Sequence, residues 1–311
     1  MLNPFQNLFV EKYRPATLDD IVLSKEDREF FESLATKQEI PHLLFAGIQG
    51  SGKTSLSKII INDILKSTSL VINASDENSI EIIRNKVTGF AKTKSFDGKI
   101  KIVLLDEADS ISFEGMKCLR GVMEECSETC RFILTCNYLN KIIPAVQSRC
   151  QVFNLNPPID KATQRIVSIL KSENITIPED QKPLLLKHIK SNLPDLRRII
   201  NDIQKFSVTG TLQIRHDASA EFADKLFEKI MNKEDLTKIR KEVIENEKAF
   251  SNDYRSLLKQ LFEVVFASEL PYETKINQLL VISKGLEADC MVVDKEINCF
   301  TTVINLYRNI F

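Results

Sequence analysis

Several scarcities bound what this chain can be. No apolar run approaches the roughly 20 residues that cross a bilayer, so no membrane segment is expected within the 311 residues. The opening stretch, MLNPFQNLFVEKYRP, lacks a basic start, an apolar core and a small-residue cleavage site, which argues against secretion and for a soluble intracellular protein. Seven cysteines make no CxxC pair and find no matching histidine spacing, which argues against a zinc site and a disulfide framework; reduced, packed thiols are expected instead. An excess of either charge is missing as well. With 42 Lys+Arg against 43 Asp+Glu the formal net charge is -1, so nucleic acid has to be held by a local patch, not by bulk charge. Internal repeats and low-complexity segments are absent. Glycine is scarce too, yet three of the nine fall between residues 47 and 52.

What is present points to more than one domain, since domains usually run about 100–200 residues. Short apolar runs at 43–46, 70–72, 102–105, 132–135 and 151–153 read as buried strands. The stretches between them carry helical spacing (Leu56, Ile60, Ile64; Ile80, Ile83, Val87), so the pattern is βα repeated: an α/β fold with a mostly parallel sheet covered on both faces. Two consecutive prolines, Pro157 and Pro158, end the strand pattern. Helical spacing then runs from Lys161 to Phe206, a mixed polar stretch from Ser207 to Ala220 reads as a connector, and about four or five further helices continue to Phe311. The expected division is a sheet domain over 1–155, a small helical lid over 156–218 and an all-α domain over 219–311.

The clustered glycines explain themselves chemically. Gly47-Ile48-Gln49-Gly50-Ser51-Gly52-Lys53-Thr54 fits G-x-x-x-x-G-K-[ST], with a strand before it and a helix after it, and Gly47, Gln49, Gly50, Ser51, Gly52, Lys53, Thr54 and Ser55 are the expected nucleotide-binding residues. Such a loop aims backbone N–H groups at phosphate oxygens where no Cβ intrudes. Lys53 then reaches the β- and γ-phosphates of ATP, and the Thr54 hydroxyl ligates Mg²⁺. A later apolar run delivers Asp106 and Glu107 to the same crevice, because a buried parallel strand presents its C-terminal residues there. Asp106 is the expected Mg²⁺ ligand and Glu107 the group that orients or deprotonates the attacking water. Asn137, ending the next strand, is either a turn residue or a second holder of that water. Arg149 and Arg197 are either surface ion-pair partners or cations for the γ-phosphate.

Taken together, Val10-Glu11-Lys12-Tyr13-Arg14-Pro15, Leu18-Asp19-Asp20-Ile21-Val22, the phosphate loop, Asp106-Glu107-Ala108-Asp109, Asn137, Ser148-Arg149-Cys150 and Pro194-Asp195-Leu196-Arg197-Arg198 resemble the sliding-clamp loader ATPases of the AAA+ superfamily. The resemblance covers essentially the whole chain. It is nearest to the small subunits of replication factor C and to tailed-phage clamp-loader ATPase subunits, with Ser95-Phe96-Asp97-Gly98 and Leu193-Pro194-Asp195 favouring the phage side. The resemblance implies that Lys12, Tyr13, Arg14, Pro15, Ile21 and Val22 surround the adenine. It makes Asn137 and Arg197 the two nucleotide sensors and Arg149 a finger entering the neighbouring subunit's site. It also implies a helical collar joining five subunits in a ring, with primer-template DNA and a sliding clamp as partners, in the nucleus of a eukaryote or the host cytoplasm of a phage.

Between Arg84 and Lys101 six basic residues (Arg84, Lys86, Lys92, Lys94, Lys99, Lys101) face one acid, Asp97. Arg84, Thr88 and Lys92 share a helical stripe opposite Ile80, Ile83, Val87 and Phe90. That stripe is either a solvated face or a DNA-backbone contact; the resemblance implies DNA, with Lys117 and Arg120 on the next helix joining it. Phe96, in a polar loop, is either packed or an anchor for the clamp. One departure stands out: where the family commonly has a basic residue linking DNA to the catalytic glutamate, this chain has Glu77-Asn78-Ser79. The alternatives in function are another DNA-acting AAA+ ATPase, such as a branch-migration motor or recombination factor, and a structural loader subunit that binds ATP without hydrolysing it.

Overall fold

A computed structural model of the chain describes residues 8–37, 40–76, 79–95, 98–214, 218–250, 252–289 and 291–308. The chain forms two compact units, Met1–Ile214 and Arg215–Phe311.

The first unit is built on five parallel strands: β1 (His42–Ala46), β2 (Ser69–Asn73), β3 (Lys101–Asp106), β4 (Cys130–Cys136) and β5 (Cys150–Asn154), in the order β2-β3-β4-β1-β5. Each coincides with an apolar run read from the sequence. The inner strands are mostly apolar because helices cover both faces, and the two-residue period of a strand sorts their side chains. Leu44, Val103, Leu105, Phe132 and Leu134 point into one core, against Ile83, Val87 and Ala91 of the 80–92 helix and Met116, Leu119 and Met123 of helix Phe113–Glu125. Leu43, Phe45, Leu104 and Ile133 point the other way, onto Phe31, Leu56 and Ile60.

Two helices widen in mid-course. Lys53–Ile59 runs into a π-turn at Ile60–Leu65, and the helix that starts at Ile80–Ile82 passes through a π-turn at Ile83–Val87 before Thr88–Lys92. In the second, the Thr88 hydroxyl donates to Ile83 O at 2.9 Å and so occupies a carbonyl inside the wide turn.

After the sheet come helices Ile159–Ser172, Gln181–Asn192 and Leu196–Phe206, which enclose a third core of Ile166, Ile169, Leu185, Ile189, Ile199 and Ile203. Val22, Phe9 and Tyr13 of the N-terminal segment pack into it as well. Part of the stretch read as a connector, Ser207–Ile214, is packed onto this unit. Thr176 and Thr211 form a parallel bridge, and Leu212 is fully buried in the third core.

The second unit contains helices Ala218–Met231, Leu236–Glu245, Tyr254–Ala267, Tyr272–Ala288 and Lys295–Arg308, around Leu226, Ile239, Leu257, Leu261, Ile282 and Val303. Cys130, Cys136 and Cys299 are buried cysteines of these cores. Burial pushes the Cys130 and Cys299 thiols up to about 12, as expected for packing groups and not reactive ones.

Candidate nucleotide site

The phosphate loop leaves β1 at the sheet's carboxyl edge, where Gly47 N donates to Cys136 O at 3.2 Å and ties the loop to β4. Gly50 and Gly52 lie in the left-handed region (φ +83° and +96°), and Gly52 caps the helix that starts at Lys53. The Lys53 ammonium is buried and donates to Gly47 O (2.8 Å), Ile48 O (2.9 Å) and Asn137 Oδ1 (3.0 Å). Burial lowers its pKa below the ordinary lysine value, against the opposing pull of Cys136, Asp106, Asp109 and Glu107. Beside it the Ser51 hydroxyl is buried with no hydrogen-bond partner among the described residues, the condition of a group that a phosphate oxygen would satisfy.

Thr54 Oγ1 lies 2.9 and 3.0 Å from the two carboxylate oxygens of Asp106. A hydroxyl and a carboxylate converging next to a phosphate loop form the hard-oxygen donor set that Mg²⁺ prefers. Thr135, one strand over, donates to Asp106 Oδ1 at 2.5 Å and accepts the Glu107 N–H at 3.0 Å. Glu107 itself is left-handed (φ 54°, ψ 43°), a conformation that costs a non-glycine residue about 1–2 kcal/mol and is kept where the surroundings enforce it. This turn leaves the carboxylate exposed at the cleft, next to the metal-binding candidate.

One cleft joins these groups. Gln49, Gly50, Ser51, Gly52, Lys53, Thr54 and Ser55 form its floor, with Asp106, Glu107, Thr135 and Asn137 at one side. Tyr13, Arg14, Pro15, Ile21 and Val22 close the N-terminal side, and Arg197 lines it from helix Leu196–Phe206. Lys12 lies outside this lining: its ammonium pairs with Glu173 at 2.6 Å, and the Tyr13 hydroxyl donates to the same carboxylate, which both hold below its usual range. Among the lining residues that the sequence reading did not assign to the site are Thr135 and Arg165. Thr135 is visible only as a polar break near the end of an apolar strand. Arg165 carries no motif, yet it lines the cleft and clamps the N-terminal segment, donating to Asp20 Oδ1 (3.0 Å) and Tyr13 O (3.3 Å).

Residues 43–157 match the family model described as ATPase family associated with various cellular activities (AAA). The replication factor C small subunit of Thermoplasma acidophilum is 37% identical over 237 residues, covering 72% of this chain and 74% of that protein. The small subunits of Saccharolobus solfataricus and Archaeoglobus fulgidus are 40% and 38% identical over 213 and 209 residues. This chain belongs to the replication factor C small-subunit family. The match takes in 67% and 65% of this chain but only 64% and 65% of those two relatives. In fold the chain is similar to a single-residue variant of Thermotoga maritima RuvB, with a TM-score of 0.55 at 15% identity, covering 94% of this chain and 90% of that one.

The remaining described candidates lie outside this cleft's lining. Arg149 follows the short helix Pro144–Gln147 and does not line its own chain's cleft; its guanidinium donates to Ala145 O and to the Glu124 carboxylate. Arg84 is exposed on the 80–92 helix, Lys92 pairs with Glu125 at 3.1 Å, and Thr88 is half-buried with its hydroxyl spent on Ile83. Lys117 pairs with Glu114 (3.1 Å) and lies over the Phe113 ring, while Arg120 is exposed on the same helix. Lys101 leaves the surface excess altogether. It is buried, bonded to Phe90 O and Thr93 Oγ1 and stacked 4.2 Å from the Phe90 ring, so it serves the core. Phe96, Glu77 and Asn78 lie outside the described residues. No helix among the described residues is long and apolar enough to cross a membrane.

Proposed function

We propose that this chain is an ATPase subunit of a sliding-clamp loader in DNA replication. The observation that carries the reading is the meeting of Lys53, Thr54, Asp106 and Asn137 within 3.0 Å contacts at the ends of β1, β3 and β4, in a chain of the replication factor C small-subunit family.

In this reading ATP is the substrate. Lys53 exchanges its loop carbonyls for β- and γ-phosphate oxygens, supported by the loop N–H groups. Thr54 and Asp106 would hold Mg²⁺, which would neutralise charge developing on the phosphates. Glu107 takes the proton of the attacking water, Asn137 orients that water from the opposite side, and Arg197 and a neighbour's Arg149 stabilise the γ-phosphate. Tyr13, Arg14, Pro15, Ile21 and Val22 receive the adenine. ATP-bound subunits in a five-membered ring hold the clamp open and grip primer-template DNA through Arg84, Lys92, Lys117 and Arg120, with Phe96 toward the clamp. Hydrolysis releases the closed clamp on DNA. The sheet domain, lid and collar take the parts assigned above to 1–155, 156–218 and 219–311.

The deciding experiment measures ATP turnover by the purified assembly alone, with primer-template DNA, and with DNA plus its clamp. A loader responds to both additions. Turnover that DNA stimulates and the clamp leaves unchanged would transfer the chain to another class of DNA-acting AAA+ machine, and ATP binding without turnover would make it a structural subunit.

A further inference from the structure

Gly50 and Gly52 of the phosphate loop take positive φ for different reasons. At Gly52 a Cβ would come no closer than 4.0 Å to its nearest neighbour, Ile21 Cδ1, so only the backbone conformation calls for glycine. At Gly50 the space is already filled. A Cβ there would lie 1.9 Å from Asp195 Oδ1, 2.7 Å from Asp195 Cγ and 3.3 Å from Arg197 Cβ. The start of the lid's third helix therefore rests on the bare Cα of the loop.

Asp195 is well fixed for that contact. It is the N-cap of helix Leu196–Phe206, with Oδ1 accepting from Arg198 N at 2.9 Å, and the helix is held by the fully buried Ile199 and Ile203. A carboxylate is the wrong charge to bind the phosphates that such a loop receives, so its contribution here is shape. Two residues on, Arg197 lines the cleft, and its own Cβ belongs to the same contact.

We propose that Asp195 is a positioning residue: it seats the lid on Gly50 and thereby sets the height of Arg197 above the nucleotide phosphates. The proposal rests on the nucleotide reading given above. It assigns Gly50 a second duty beyond the turn, as the landing point of the lid.

The test is a double-mutant cycle on the assembled protein, read as ATP and ADP affinities by displacement of a fluorescent nucleotide. Asp195→Gly clears the contact while costing the helix cap little, because glycine is tolerated at that position. It is expected to reduce the preference for ATP over ADP as Arg197→Ala does, whereas Asp195→Asn, which keeps shape and cap, retains it. Gly50→Ala should weaken ATP binding, and Asp195→Gly should recover part of that loss, with a departure from additivity of about three- to tenfold. Strict additivity, or an unchanged ATP-to-ADP preference in Asp195→Gly, overturns the proposal even if the variant melts at a lower temperature. A wild-type protein that binds neither nucleotide overturns the nucleotide reading and this proposal with it.

Discussion

Lys53 Nζ and Asn137 Oδ1 lie 3.0 Å apart, joining the ends of β1 and β4 across the floor of the cleft. With Gly47 O and Ile48 O also accepting from it, the ammonium is held by three protein oxygens at the mouth of the loop. Lys53→Ala should abolish tight ATP binding. The pH dependence has a definite sign. Burial holds the folded-state pKa of Lys53 below its unfolded value, so the unfolded chain binds this proton more strongly and the group's burial penalty falls as pH rises from the folded toward the unfolded value. ATP needs the ammonium, so the ligand's stabilisation moves the other way. The rise in melting temperature on adding ATP should shrink from neutral to alkaline pH, and Lys53→Ala should show no such rise at either. An ATP-induced rise that persists in Lys53→Ala would count against the assignment.

Glu107 combines a catalytic assignment with an unfavourable backbone, φ 54°. Glu107→Gln should bind ATP normally and lose single-turnover hydrolysis. Glu107→Gly should lose hydrolysis too, yet gain about 1 kcal/mol of stability, because glycine takes the left-handed conformation without strain. Normal turnover in the glutamine variant, or destabilisation by glycine, contradicts one half of this pairing.

The Thr135 hydroxyl donates to Asp106 and accepts from the Glu107 amide, so it orients the proposed Mg²⁺ ligand and the proposed water-activating residue together. Thr135→Val keeps the shape and removes both bonds. Partners of this kind are typically worth about 10–100-fold in activity or metal affinity. The expected result is slower turnover and a higher Mg²⁺ requirement, with ATP affinity preserved at saturating Mg²⁺; unchanged Mg²⁺ dependence would reduce Thr135 to packing.

How far the sequence reveals this molecule depends on how local each signal is. The strands, the phosphate loop and the Asp106-Glu107 pair are legible because a buried parallel strand and a glycine turn each constrain a few consecutive residues. Arg165 and Thr135 are not, because each acts through partners far along the chain: Asp20 and Tyr13 for one, Asp106 for the other. The basic stretch misleads for a related reason. Counting charge treats Lys101 like Arg84, but the fold buries one beneath Phe90 and leaves the other exposed. A helix taken as straight also puts Thr88 in an open stripe, whereas the wide turn draws its hydroxyl onto Ile83.

Arg84 and Lys101 therefore separate DNA contact from folding. Each phosphate contact adds roughly 0.9 to the slope of log affinity against log salt. Arg84→Ala should weaken binding to duplexes of any sequence and flatten that slope by about one contact, with an unchanged melting temperature. Lys101→Ala should lower the melting temperature instead. Equal slopes for wild type and Arg84→Ala would return Arg84 to a solvated face.

Arg149 carries the sharpest prediction, because its charge is absent from its own chain's cleft and parked on Glu124 and Ala145 O. If it completes a neighbour's site, Arg149→Ala should leave ATP binding by its own subunit nearly intact and silence hydrolysis next door. Fingers of this kind are worth about 10³–10⁵ in rate, or roughly 4–7 kcal/mol, far above the loss of about 1 kcal/mol or less expected from breaking one exposed ion pair. Uniform assemblies of Arg149→Ala and of Lys53→Ala should both be inactive. In a mixture, a chain with intact Arg149 can stand beside a chain with intact Lys53 and rebuild a working site at that junction. Coassembly is verified first by pull-down of differently tagged chains, and DNA-stimulated ATPase is then measured against mixing ratio. Recovery that peaks at intermediate ratios supports the shared site. Silence in verified mixed rings, or full activity of Arg149→Ala alone, shows that Arg149 holds its own fold and serves no neighbour.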